Sequence, residues 1–587
     1  MKTNPESPIE PEHARSGGFR RGLTYLRVHI LPHRGNRGLY FTGLTLVLLG
    51  TFSIFNVINY IGSDSNILPK IKQHGDVPYQ PKYTFNQSLT QKLPANRVEE
   101  PASSCRPLTK DWLRIENENP GIELTSKDWK SIDLFTSGGS ALWLNKESGT
   151  CGETIQIHAS LTARYRSDEG PRTFRVMRVG YYGGSGAREL WQSAPTNLVY
   201  RNIPNVRTLT RTVETRWPTT TTFTIGKQWV PGLYLVASVS PKGVIENWSP
   251  FILRSPKNSS NLVLVHSTLT WQAYNNFGGR SAYTAPERAI EERSKVLSFD
   301  RPYSGSGMNH LNRDAVSLVQ FLESENIEVD QLSDIDLSLS PSLSTGYSGL
   351  ILSGHPEYMT HNQFATILAA RNSGTNLAIL GANSAFWQVR LERSPIGSNR
   401  RFAIYRDAKI DPQTAPDKLT VEFGDPRINW QPSLITGEKT AGVHVYGDMS
   451  MVEKPRWLKV PDVVELNGWP ANSEIDSQAF GKTSPPNQHL FLSGQFKLEH
   501  PHSRGALVRS RTLKAQSIWF TLPSGSAEFV AGQNYWPCEL SGFCFDAGLS
   551  QESRDLLRSI TSQILHVWEH KAVGPMIDPT AYRSARK

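Results

Sequence analysis

Two rhythms of apolar and polar residues divide the chain. Between about 111 and 255 the period is two. Residues 154–159 (TIQIHA) and 174–179 (FRVMRV) alternate apolar with polar, as strands with one buried face do. FRVMRV runs into YYGGSGA, a turn dense in glycine. Residues 232–239 (GLYLVASV) and 250–253 read as closing strands. Short strands separated by Gly/Pro turns predict a β-sandwich over 111–256.

Past the polar link 256–260 the apolar positions become continuous. Residues 261–265 (NLVLV), 347–352 (YSGLIL) and 376–380 (NLAIL) are unbroken runs, which suits parallel strands covered on both faces. A further strand is expected at 327–332, and helical spacing at 314–323. Thr360 is the expected N-cap of a helix over 361–372. Gln363 completes a capping box and Gly374 terminates the helix. Strands are also expected at 516–520 and 526–531, and an amphipathic helix at 551–570. Strand, helix and strand at these lengths predict right-handed βαβ units in an α/β domain over 261–570.

One segment fits neither rhythm. Residues 39–61 (LYFTGLTLVLLGTFSIFNVINYI) carry no charge, and about 20 such residues span a bilayer as a helix. Tyr40, Phe41 and Tyr60 mark its ends, and six arginines precede it. No acid lies between Glu12 and Asp64. The positive-inside rule then predicts a basic cytoplasmic tail (1–38), one transmembrane helix (39–61), a stalk (62–110) and an extracytoplasmic body at the cell membrane.

This placement changes what the net charge means. The 587 residues carry +10, which invites a nucleic-acid reading. Yet 1–38 holds +4 and the basic tail 571–587 holds +3, leaving +3 for everything between. No nucleic-acid partner is expected. All four cysteines follow the apolar run. Local pairing of Cys538 with Cys544 is expected, leaving Cys105 for Cys151.

Ligand crevices of open α/β sheets lie beyond the carboxyl ends of the strands. Three polar, glycine-bearing segments stand there: WQAYNNFGG from Trp271, SGHPEY from Ser353 and GANSAFWQVR from Gly381. His355, Glu357 and Tyr358 offer an imidazole, a carboxylate and a phenol at one turn, suited to proton transfer or metal ligation. The bland alternative is a helix start whose Glu complements the dipole. Asn383 and Arg390 are further candidates, with loop pinning as their plainer role. Tyr274 and Tyr283 stand evenly between rim packing and ligation. The GHPEY turn holds no Ser or Cys nucleophile, and no phosphate-binding glycine loop follows the first strand.

TWQAYNNFGGRSAY, SFDRPY, LILSGHPEYM and AILGANSAFWQVRLE together resemble the C-terminal domain of the N,N-dimethylformamidase large (beta) subunit family. FRVMRVGYYGGSGARELW and PGLYLV resemble the β-domain preceding it, so the likeness covers about 137–568. The resemblance implies a class I glutamine amidotransferase-like fold without the cysteine. It also implies hydrolysis of an amide C–N bond at one ferric ion (Fe³⁺), held by two tyrosinates and one glutamate. Tyr358 matches the family's tyrosine motif, and Glu438 in LITGEKTAG is the best-placed carboxylate. The second tyrosine is Tyr303, Tyr283 or Tyr274. His355 or Glu357 would accept the proton. Met359 stands where the family motif has tryptophan. The formamidase works with a small subunit and without a membrane tether, so oligomeric state does not carry over. The rival expectation is a non-catalytic surface protein binding glycan or protein through Trp143, Trp191, Tyr181 and Tyr182.

Overall fold

The computed structural model describes residues 111–124, 139–162, 170–202, 206, 209–255, 259–480, 484–485, 487–498, 512–542, 544 and 546–583. The expected tail 1–38, span 39–61, stalk 62–110 and Cys105 lie outside them. No helix among the described residues is long and apolar enough to cross a membrane. These residues belong to one compact unit.

The N-terminal part holds two sheets. One is three-stranded, in the order Ser140–Leu144, Thr154–Leu161, Thr221–Thr224. The other has six strands and is centred on Thr173–Val179, Gly232–Val239 and Ile245–Leu253. Alternation explains how they meet. Leu142, Ile155 and Ile157 from the first sheet share one core with Phe174, Val176, Tyr234, Val236 and Phe251 from the second. Met177, Val179, Leu233 and Leu235 take the other parity and enter the core of the following part. The seam between the two parts is therefore continuous core. Trp143 is 1% exposed and stacked on His158, and Tyr182 is bonded to Glu116 and Arg178. Both are packing residues.

The second part is built on a nine-stranded mixed sheet. Five parallel strands run in the order Val329–Ser333, Leu262–His266, Gly349–Gly354, Asn376–Gly381, Ala527–Val530. Their unbroken apolar runs follow from helices on both faces. Leu264, Ile351 and Leu380 pack with Leu318, Phe321 and Ile560, whereas Val265, Leu350 and Ile379 pack with Phe364 and Ile367. Four antiparallel strands then extend the sheet, from Thr512–Thr521 through His489–Leu498 and Glu438–Met451 to Glu465–Gln478.

Several local expectations change in detail. His361–Asn372 is a helix, and Thr360 accepts from the Gln363 N–H, but Gln363 Oε1 has no partner, so the capping box is half formed. The helix expected at 314–323 begins earlier. Ser306–His310 continues through a π turn, Leu311–Val316, into Ser317–Ser324. The basic tail is partly folded: Gly574–Ile577 and Pro579–Arg583 are short helices, and Val573 and Ile577 join the core. Cys538 and Cys544 form a disulfide as expected, and Cys151 is also disulfide-bonded.

The parallel strands end where Gly354 pairs with Gly381. Gly354 has φ +67 and lies against Asp314, and a Cβ at Gly381 would overlap the Gly354 carbonyl. Gly381→Ala is expected to destabilise the protein by about 3 kcal/mol or more, because only backbone can yield. A clear drop in thermal midpoint checks this; an unchanged midpoint contradicts it.

Candidate active site

The three polar segments lie side by side because their strands are neighbours in the parallel sheet. Leu262–His266 leads into the helix Thr268–Tyr274, Gly349–Gly354 ends before His355, and Asn376–Gly381 ends before Asn383. The helix is anchored at its start by the Asp334 carboxylate, which accepts from Leu269 N–H (2.8 Å) and from the Thr268 hydroxyl. The loop after it is held by Arg301. This buried guanidinium donates to the carbonyls of Gln272, Asn275, Phe277 and Arg280 at 2.9 to 3.3 Å. The FDRPY segment thus positions the tyrosine loop. Ser281 Oγ accepts from Tyr283 N–H (3.0 Å), turning Tyr283 back onto Tyr274, with ring centroids 4.3 Å apart.

Both phenols converge on one carboxylate. Tyr283 donates to Glu357 Oε1 (2.5 Å) and Oε2 (2.7 Å), and Tyr274 donates to Oε2 (3.1 Å). His355 Nε2 lies 3.0 Å from the same oxygen and 3.4 Å from Glu474 Oε1. Its Nδ1 faces the Ala382 carbonyl at 3.1 Å. Asn383 Nδ2 donates to Glu474 (2.9 Å), and Asn383 Oδ1 accepts from Thr440 (2.8 Å).

The electrostatics follow from this geometry. Burial alone would depress the His355 pKa, but Glu474 and Glu357 override it and raise it from 6.5 to about 9. Burial alone would raise Glu357, but the His355 partner, Arg406 and Tyr283 hold it at about 2. Near neutral pH the site therefore contains an imidazolium beside a carboxylate. A relay runs into that carboxylate: Arg406 donates to Tyr358, Tyr358 to Tyr283 (2.5 Å), and Tyr283 to Glu357. The Arg406 guanidinium also covers the rings of Tyr283 and Trp387 at 4.6 and 4.9 Å. From the π turn side His310 lies against Tyr274, centroids 3.9 Å apart. Burial and then Arg313 push His310 down to about 4. Tyr274, Arg406 and Glu474 are the partly exposed members.

The structure thus joins His355, Glu357, Asn383 and Tyr358 in one cluster and leaves out three expected residues. Arg390 bonds Asp411 (3.1 Å) and Glu392 (3.1 Å). It lies three positions along the strand from Trp387, so it points to the opposite face, and Arg406 occupies the site instead. Tyr303 is buried against the seam, where Glu147, Asp334 and Arg400 are its charged neighbours. Glu438 opens the strand Glu438–Met451 and faces Asp476 and Glu528, with neither carboxylate oxygen hydrogen-bonded. The expected ligand set Tyr358, Glu438, Tyr303 is therefore not assembled. Tyr274, Tyr283 and Glu357 converge with Tyr358 instead. Arg406, Glu474 and His310 were missed; no glycine-rich turn or strand end marks them in the sequence.

Glu438 yields a prediction of its own. Burial, then the nearby Asp476 and Glu528, raise its pKa well above 4.5. A carboxyl with a raised folded pKa favours folding below its unfolded pKa and progressively loses that contribution as pH rises. Glu438→Gln is expected to match the wild type in stability below pH 4.5 and to surpass it increasingly above. Urea unfolding across that range checks the sign; a gap that shrinks with rising pH contradicts it.

Among the described residues, no three His, Cys, Asp or Glu side chains gather as metal ligands. The tyrosines alter the picture. Tyr274, Tyr283 and Glu357 present three hard oxygen donors around one point, the donor type that suits ferric iron. One family model matches the chain. It is the model for the N,N-dimethylformamidase beta subunit-like C-terminal region, and it matches residues 173–551. The chain belongs to this family. The match begins at the strand Thr173–Val179, so the family's region includes most of the six-stranded sheet as well as the site. No curated protein matches the chain.

Proposed function

We propose that the protein is a membrane-anchored, extracytoplasmic hydrolase of amide C–N bonds acting on a small-molecule amide. The observation carrying this reading is the convergence of Tyr274 and Tyr283 on the Glu357 carboxylate beside His355, in a chain of this family. Tyr274, Tyr283 and Glu357 would hold ferric iron, which when bound supplies a Lewis acid for the substrate carbonyl. The protein's own groups carry the protons. Glu474, partly exposed beside His355, accepts the proton of the attacking water. His355 gives its proton to the departing amine nitrogen as the C–N bond breaks, and regains one from Glu474. Asn383 keeps Glu474 within reach, and the Arg406–Tyr358 pair orients the Tyr283 hydroxyl.

The sheet is read as class I glutamine amidotransferase-like. Five parallel strands covered by helices and a site at their carboxyl ends support this. Anchoring through 39–61 with a cytoplasmic N-terminus rests on the uncharged run and the arginines before it. The Cys538–Cys544 disulfide supports an oxidising compartment for the body.

The test is release of amine from a panel of small linear amides by the full-length protein. Tyr283→Phe is expected to lower kcat/KM by about a hundredfold or more, and Tyr303→Phe by less than about threefold. Full activity in Tyr283→Phe, or no amine from any amide, contradicts the reading.

A further inference from the structure

We propose that a second pocket, behind the active-site loop, binds a small organic ammonium ion. The pocket is a cavity of about 220 Å³, lined by the loop after Asn376–Gly381, the segment 422–436 and the strands Glu438–Met451 and Glu465–Gln478. Glu438, Asp476, Ser384 and Phe386 form its wall, with Glu422 and Lys439 at the exposed rim.

Glu438 carries the argument. It is 1% exposed, it lines the cavity, and neither carboxylate oxygen has a hydrogen-bond partner. A buried acid without donors is costly to ionise, and a protein gains nothing for its own stability by keeping one. Ser384 is buried beside it, also with an unpartnered hydroxyl. The wall's hydroxyls and the Lys439 ammonium at the rim leave both Glu438 oxygens without a donor. An alkylammonium supplies what is missing: positive charge, N–H donors, and a carbon surface for Phe386, whose ring face also attracts cations. A bare metal ion is a poorer match, since among the described residues no three His, Cys, Asp or Glu are arranged to hold one. Asp476, the other buried acid, has Oδ2 engaged by the Asn383 N–H at 2.8 Å. Asn383 therefore separates the pocket from Glu474 and His355, and the two sites are distinct.

The pocket's chemistry stands whether or not the neighbouring site hydrolyses amides. Methylammonium and dimethylammonium chloride are titrated calorimetrically into the full-length protein at neutral pH, in two buffers of different ionisation enthalpy. The expected result is saturable binding of one ion per chain with release of a proton, as Glu438 ionises against the entering cation. Glu438→Gln is expected to lose proton release and at least about tenfold in affinity. Glu422→Gln, at the exposed rim where folding is not at stake, is expected to weaken binding about threefold. Absence of saturable binding by either ion overturns the proposal. So does binding without proton release, or unchanged affinity in a folded Glu438→Gln variant. Binding of calcium or sodium in place of the ammonium ions also overturns it.

Discussion

Glu357→Gln is expected to lower kcat/KM for amide hydrolysis by about a thousandfold or more. Four groups depend on this one carboxylate: Tyr274 and Tyr283 donate to it, His355 pairs with it at 3.0 Å, and Tyr358 reaches it through Tyr283. Glutamine preserves the shape and one acceptor oxygen, so the fold is expected to persist. It removes the negative charge that helps keep His355 protonated, and it replaces an acceptor with an N–H₂ group facing imidazole and phenols that also donate. The expected outcome is folded, inactive protein. Circular dichroism and thermal melting establish the first half and amine release the second. A Glu357→Gln variant with more than a tenth of wild-type kcat/KM would show that the carboxylate is a structural acceptor only.

The second large effect lies far from the chemistry. Arg178, in the strand Thr173–Val179, reaches across the seam to Glu323 in the helix Ser317–Ser324. Arg178 Nη2 donates to Glu323 Oε1 at 2.6 Å, and the two side chains are 0% and 4% exposed. Tyr182 and the Pro231 carbonyl take further donors of the guanidinium. Glu323→Ala leaves a fully buried cation without its counter-charge, which costs about 3–5 kcal/mol. The double replacement Arg178→Met, Glu323→Leu is expected to recover most of that loss, since the seam on either side is already apolar core. Urea unfolding of the three variants checks the order: Glu323→Ala least stable, the double variant near the wild type. If Glu323→Ala costs under 1 kcal/mol, the seam is looser than the packing indicates.

How much was legible in the sequence follows from how each element is buried. Leu262–His266, Gly349–Gly354 and Asn376–Gly381 are covered on both faces, so their residues had to be apolar throughout. Their carboxyl ends then located the site. Of the antiparallel half only the strand at 516–520 was visible. Glu438–Met451 pairs with Glu465–Gln478 through repeated register shifts, and each shift breaks the period of two that marks a strand. Glu474 arrives from these irregular segments, and Arg406 from the loop after Arg401–Ala403, without a glycine turn or apolar run beside them.

Tyr358 joins the cluster, whereas Glu438 and Tyr303 lie apart from it. Glu357 and Tyr358 are adjacent, and Tyr358 opens the short strand Tyr358–Thr360, where successive side chains point to opposite faces. The phenol of Tyr358 reaches the Glu357 carboxylate through the Tyr283 hydroxyl. Tyr274 and Tyr283 come from a distant loop whose placement depends on Arg301, a tertiary contact that no local pattern encodes.

The most direct measurement is iron content together with the visible spectrum of the purified full-length protein. The account predicts one iron per chain and a tyrosinate-to-iron charge-transfer band that Tyr283→Phe and Glu357→Gln abolish and Tyr303→Phe leaves in place. Folded wild-type protein that stays colourless and takes up no iron when supplied with ferric salt would contradict it.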